Sequence, residues 1–461
     1  MSPHSQRRFN RGKNQRRFPT LAVVIISLIA LVAVVVGYTM TRGGGDEDTQ
    51  QPVSVTFPIP ISGVKVPADT TIGVVLTSGS SEGGQWYLPA HGVSVAHYRL
   101  GLGGNDLEVV AVDDGGSRNG SVEAIKELLA QDVAGIVYAS TGEHMRPGLG
   151  LASTEEVPVI LPYDTSTTWP GIYTIAPSTE SVIEVINEEL EGFAHSVQVI
   201  PEGTDPADTV ATETMEINPK DVTEGVEDLV LRTSVDPAAH GAYEGAEDLE
   251  SSQEFQDASS QPRIEALFID GDARFTADVL TGLVARGVKI PMIVGSDALT
   301  PAFVSRVVDS DGVVPPGVIT VGSAHQDSLA LRNDAPGRAM SAFLQAVRQT
   351  GQMVDGTDLM GESDFTQAQV WADASSHDAL VALTHAVAGA KSTDPKAVGE
   401  ALDGLKLGKN DAIVGSDLDF SEPQAAVEPA SALFSTNQRL GLRAVDAQEF
   451  TVTFSGRSDE H

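Results

Sequence analysis

The chain has 461 residues, with 29 Lys and Arg against 64 Asp and Glu, and no cysteine. One hydrophobic core rarely supports that length, so two or more folding units are expected. The missing cysteine excludes disulfides, thiolate metal sites, a Cys nucleophile and a lipid-modified N-terminal Cys.

Six of the bases fall within the first twenty residues, leaving 23 bases against 64 acids, a balance of −41, in the remainder. A field of that sign repels phosphate backbones and argues against nucleic-acid binding by the main body. Residues 21–38 then run eighteen positions without a charge. Such a run is long enough to span a bilayer, exceeds the usual apolar region of a signal peptide, and is followed by no A-x-A site. An uncleaved transmembrane anchor over 21–40 is expected, with the basic segment 1–20 cytoplasmic and everything after the anchor outside. Residues 41–67 read as a flexible linker, with three consecutive glycines, acids at Asp46 and Asp48, and Pro52, Pro58 and Pro60.

From residue 70 onward, apolar β-branched runs alternate with helical patterns. The runs 71–76 (TIGVVL), 107–112 (LEVVAV), 133–138 (VAGIVY) and 157–161 (VPVIL) read as strands buried on both faces. Between the second and third, residues 117–130 place Val122, Ile125, Leu128 and Leu129 on one helical stripe. Crossovers of this length give an open parallel sheet, and ligands of such sheets sit outside the carboxyl ends of the strands. Those ends carry residues 78–85, 113–117, 139–143 and 162–167, rich in hydroxyls and small side chains, which suits a small polar molecule. Ser80, Ser81 and Trp86, after the first strand, are candidate ligand contacts.

A short strand at 173–177 and the start signal Ser178-Thr179-Glu180 introduce a helix over 182–193, where the chain leaves the first lobe. Residues 196–200 read as a strand. The stretch 201–261 shows only faint patterns, and 238–260 reads as an acidic, flexible surface insertion. Periodicity returns with the strand 264–269, the helix 273–286 and the strand 290–294, a second α/β unit. A strand at 318–321, helices at 337–349 and 365–390, a short helix at 397–402 and β-like pieces at 432–434 and 450–454 complete the chain.

Gly79-Ser80-Ser81-Glu82-Gly83 fits G-x-S-x-G between a strand and a helix, the setting of a nucleophile elbow. His325, His377 and His385 supply no motif for the rest of a triad, so a serine hydrolase is the weaker reading. The glycines at 101, 103 and 104 follow a helix and precede a strand, the reverse of a dinucleotide loop. The pairs His91/His97 and His377/His385 stand six and eight apart with no third ligand, and the acids at 113–114 and 270–272 lack calcium-loop spacing. Surface turns account for them.

Several stretches together resemble the type 1 periplasmic-binding-protein family, in particular its branched-chain amino acid receptors. They are Asp113-Asp114 after the second strand, 128–139 (LLAQDVAGIVYA) with Ser140-Thr141, 157–165 (VPVILPYDT), 290–297 (IPMIVGSD), 376–390 (SHDALVALTHAVAGA) and the ending 401–420. The resemblance implies two Rossmann-like α/β lobes joined by three crossover strands and closing on a ligand, with no enzymatic activity and no cofactor. Its boundaries would be 68–177 and 298–406 for the first lobe, 178–297 and 407–455 for the second, and 456–461 as a tail. It further implies that Ser140, Thr141, Tyr163 and Thr165 grip an amino acid from the first lobe, and that Asp270 and Asp272 meet its ammonium group from the second. The implied role is a membrane-anchored solute-binding protein for an ABC permease or a sensor. Departures from the family pattern are residues 199–208 (VIPEGTDPAD), which lack the usual opening loop of the second lobe, and Asp164 in place of a small residue. They keep open the alternative of a cell-surface scaffold that binds no small ligand.

Overall fold

The apolar runs of the first half assemble into a parallel sheet. Its strands are β1 (Thr70–Leu76), β2 (Leu107–Asp113), β3 (Ile136–Ala139), β4 (Val159–Leu161) and β5 (Ile172–Thr174), in the order β2-β1-β3-β4-β5. Successive residues of β1 feed opposite cores, which is why the run carries no alternating polar positions. Val74 joins the core under the helices Gly92–Leu102 and Ala374–Ala390, whereas Val75 joins the core under Arg118–Leu129 and Arg146–Thr154. This computed structural model describes residues 59–165, 169–233, 261–352, 356–436, 440–443 and 452–456, all within one unit, Phe57–His461. The expected anchor at 21–40, nearly all of the linker and the acidic insertion at 238–260 lie outside the described residues. Among the described residues no helix is long and apolar enough to cross a membrane.

After β5 the chain passes through residues 175–178 to the helix Thr179–Leu190 and a second sheet. That sheet contains β6 (Ser196–Pro201), β7 (Glu213–Ile217), β8 (Ala266–Ile269), β9 (Met292–Val294) and β10 (Ile319–Gly322). The order β7-β6-β8-β9-β10 repeats that of the first sheet, strand for strand. A second passage through 323–326 returns the chain to the first lobe. There the helix Ala335–Thr350 packs against Gly92–Leu102, Ala374–Ala390 follows, and the hairpin β11 (Lys406–Leu407) and β12 (Leu418–Asp419) seals the edge. A third passage at 427–430 leads to β13 (Ser431–Thr436) and β14 (Thr453–Gly456), which add antiparallel strands to the second sheet.

Three expectations are corrected. The crossing expected at 290–297 lies at 323–326, because β9 pairs with β8 and β10 inside the second sheet. Residues 407–426, assigned above to the second lobe, stay with the first: Leu407, Leu418 and Phe420 enter its core and Gln424 bridges to Thr174. The helix expected over 365–390 is broken into Phe365–Ala368 and Ala374–Ala390, since Asp373 adopts an extended backbone and its carboxylate accepts the Ser376 N–H at 2.9 Å, a helix start in mid-pattern. The stretch 201–261 also holds more structure than its composition shows. The helix Thr223–Thr233 buries Val226, Leu229 and Val230, and its Arg232 forks onto Glu213 of β7 at 2.6 and 2.8 Å.

Two buried polar networks fix the first lobe. In one, Arg99 Nη1 donates to His377 Nε2 at 2.9 Å, and His377 Nδ1 donates to Asp378 at 2.8 Å. Burial holds His377 below its usual value, leaving it neutral with Nδ1–H toward the acid, and draws Arg99 down to about 10. Asp378 also accepts the N–H groups of Val414 and Gly415 at 3.0 and 2.6 Å. In the other, under the strand ends, Asp114 accepts from Thr77 (2.7 Å), Tyr138 (2.6 Å), the Gly116 N–H (2.9 Å) and His144 Nε2 (3.1 Å). Burial lowers the pKa of His144, but its bond to Asp114 outweighs that and the net shift is upward.

Replacing Asp378 by Ala leaves a buried arginine and two N–H groups unmatched, and is expected to cost about 3–5 kcal/mol in urea unfolding. His144 binds its proton more tightly folded than unfolded, so its contribution is complete below pH 6.5 and fades as pH rises through the higher folded value. Unfolding midpoints measured across that range should fall, and His144→Asn should flatten the decline.

Candidate functional site

The carboxyl ends of the two sheets meet around a cavity of about 350 Å³. The first lobe supplies Trp86 after β1, Pro162, Tyr163 and Thr165 after β4, and Trp371, Asp373 and Ser375 around the helix start at Ala374. The second lobe contributes Ser296 and Leu299 after β9, and the first two passages add Ala176, Pro177, Ser323, His325 and Gln326. Trp86 and Tyr163 stack with ring centres 4.3 Å apart and planes 13° from parallel, forming one flat wall. The buried indole N–H of Trp86 has no acceptor among the described residues.

Charged groups at the wall are mostly spoken for. Arg443 reaches in from the segment after β13, forks onto Asp327 at 2.6 and 2.9 Å, and donates through Nη1 to the carbonyls of Gln369, Val370 and Ala372. His325 faces Glu428 at 3.0 Å, joining the second and third passages, and burial lowers its pKa. Asp373 caps the helix through Oδ1 and lies beside the Tyr163 hydroxyl; burial pushes its carboxyl up to about 6. Gln85 bonds Thr141 Oγ1 at 3.4 Å and lies near the carboxylate of Asp297 in the second lobe, which burial and the charge of Asp272 raise to about 6.

Of the residues singled out from sequence, Trp86, Tyr163 and Thr165 line this cavity. Ser80 and Ser81 are exposed on the loop above it. Ser140 is fully buried and bonded to Thr77 at 2.6 Å, with Gly83 laid so closely over it that a Cβ there would overlap its hydroxyl. Glu82, from the same loop, packs its carboxylate against Gly142 and stands 3.5 Å from His144. Ser140 and Thr141 are therefore covered by the chain's own loop. Asp270 is held by Gln198 at 2.9 Å, and Asp272 caps the helix Ala273–Ala285 by accepting the Phe275 N–H at 2.8 Å. Asp164, the unexpected acid, accepts the Gly142 N–H at 3.0 Å and so fastens two strand-end loops together.

The hydrolase residues do not converge. His144 Nε2 turns to Asp114 and Thr77, not to Ser81. His97 and His385 donate to the carbonyls of Leu107 and Asp411, and His91 bonds the Tyr87 carbonyl and the Leu359 N–H. Sequence reasoning missed Trp371, Asp373, His325 and Arg443. Asp373 had a legible signal, an N-cap acid ahead of Ser376, whereas Arg443 follows no pattern at all.

No family model and no curated protein matches the chain. Solved structures do. An extracellular ligand-binding receptor from Rhodopseudomonas palustris superposes with a TM-score of 0.56 at 15% identity, covering 80% of this chain and 97% of its own. The branched-chain amino acid transporter substrate binding protein LivJ from Streptococcus pneumoniae, solved with isoleucine, gives 0.53 at 15% identity, covering 80% and 96%. The leucine binding protein LivK from Thermotoga maritima gives 0.52 at 14% identity, covering 84% and 98%. With its duplicated sheet order and three passages, the chain has the fold of the type 1 periplasmic binding proteins, the branched-chain amino acid receptors among them.

Proposed function

We propose that the protein is an extracytoplasmic solute-binding protein, tethered by residues 21–40, that captures an amino acid or similar small polar molecule between its lobes. The observation that carries this reading is the cavity between the two sets of strand ends, with aromatic and hydroxyl walls drawn from both lobes. The passages at 175–178, 323–326 and 427–430 lie side by side around Ile175, Ser323, Asp378 and Glu428, the arrangement of a hinge. An ABC permease or a membrane sensor is the partner such a tethered receptor would serve, and the apolar run at 21–38 after six bases supports the tether.

One observation favours a second reading. The Glu82 loop fills the place where the family resemblance puts the grip on an amino acid, which is what a scaffold that has abandoned small ligands would show.

Thermal unfolding of the full-length chain in detergent, against a panel of amino acids, amides and amines, separates the two. A true ligand at a hundred times its dissociation constant adds about 2.7 kcal/mol of stability. Trp86→Ala, which removes one wall, should erase that gain. A flat response across the panel supports the scaffold.

A further inference from the structure

Resting on the cleft reading above, the geometry points to a ligand that carries an amine and a hydrogen-bond acceptor but no free carboxylate. Four observations converge on it. The basic side chains that border the cavity are already engaged: Arg443 bonds Asp327 through Nε and Nη2 and three backbone carbonyls through Nη1, and His325 is held between Glu428 and the Ser323 hydroxyl, the latter at 3.2 Å. Among the described residues, a carboxylate entering here meets no basic side chain at the wall that is not already engaged. The strand-end loop at Ser140–Thr141, which could offer N–H and hydroxyl donors to an anion, is shut under Gly83 and faces a carboxylate the chain supplies itself, that of Glu82.

The acids tell the complementary story. Asp327 has Arg443 as a bidentate partner, whereas Asp373 spends Oδ1 on its helix cap, lies beside the Tyr163 hydroxyl and feels the charge of Arg443 without a direct bond to it. It borders the cavity with no cation directly bonded to it among the described residues, and burial raises its pKa. An ammonium group against Asp373 would restore the missing charge and lie beside the rings of Tyr163 and Trp371, where a cation gains from the π-faces as well. The fourth observation is the Trp86 indole N–H, buried without an acceptor. Leaving such a donor unmet is costly, and a carbonyl or hydroxyl oxygen on the ligand satisfies it. Amino amides and amino alcohols have this pair of groups; free amino acids add a carboxylate charge for which the described wall offers hydroxyls but no basic side chain that is not already engaged.

Isothermal titration of the full-length chain in detergent tests this with probes matched in shape. They are leucinamide and phenylalaninamide, the free acids leucine and phenylalanine, and 4-methylpentanoate, which keeps the carboxylate and drops the amine. The amides should bind at least about tenfold more tightly than the corresponding amino acids, the loss expected for an uncompensated buried charge, and 4-methylpentanoate should not bind. Asp373→Asn keeps a competent helix cap and should weaken amide binding about tenfold or more without lowering the melting temperature by more than a few degrees. Trp86→Phe, which keeps the aromatic wall but removes the N–H, should weaken it less. Tighter binding of either free amino acid or of 4-methylpentanoate would overturn the proposed ligand class while leaving the cleft reading in place. Silence from all five probes would overturn the cleft reading and the inference together.

Discussion

The buried carboxylate of Asp378 is the tie that holds the first lobe together beside the passages between the lobes. It sits on the helix Ala374–Ala390, yet it accepts the N–H groups of Val414 and Gly415, at the approach to the third passage. Through His377 it also offsets Arg99 on the helix Gly92–Leu102. Three segments remote in sequence are thus pinned at one place, next to Ile175, Ser323 and Glu428 of the three passages. A charge withdrawn from water this far is tolerated only when its partners are complete, so the geometry of the hinge is set by hydrogen-bond satisfaction as much as by apolar packing.

The cleft shows the same logic applied with a different outcome. Arg443 there is engaged by Asp327 and by backbone carbonyls, whereas among the described residues Asp373 has no directly bonded cation and the Trp86 indole N–H no acceptor. The imbalance has a direction, because the body as a whole carries a large negative excess. A field of that sign slows the approach of anions and favours that of cations. Gln85, meanwhile, sets a polar side chain of the first lobe near Asp297 of the second.

Much of the first lobe was legible because its strands are buried on both faces and so read as unbroken apolar runs, from Thr71 to Leu161. The second lobe was harder for stated reasons. β7 alternates burial along Glu213–Ile217 at the sheet edge, too short a pattern to stand out in a polar stretch. The passage at 323–326 was misplaced because β9 ends in Gly295-Ser296, which looks locally like an exit. At the site, Trp86 was singled out from its place after the first strand and Tyr163 and Thr165 from the family resemblance, and all three line the cavity. Ser140 did not hold its expected place because the close descent of Gly83, at φ +90°, is a backbone event that no side-chain pattern announces. Arg443 could not be found either, since its partners are mostly carbonyls, which leave no trace in composition.

The passage of the chain three times between the lobes also bears on how the molecule is made. The sheet β1–β5 is complete by residue 174, but one of its faces is covered by Ala374–Ala390 and its edge is closed by residues near 420. As the nascent chain emerges, the contiguous part of the second lobe can gather its own core while the first still has a bare apolar face. The half that is synthesised first thus waits until residues near 420 arrive to be covered, the second closes its sheet only with β13 and β14, and in the interval the uncovered face of the first is where a chaperone would act.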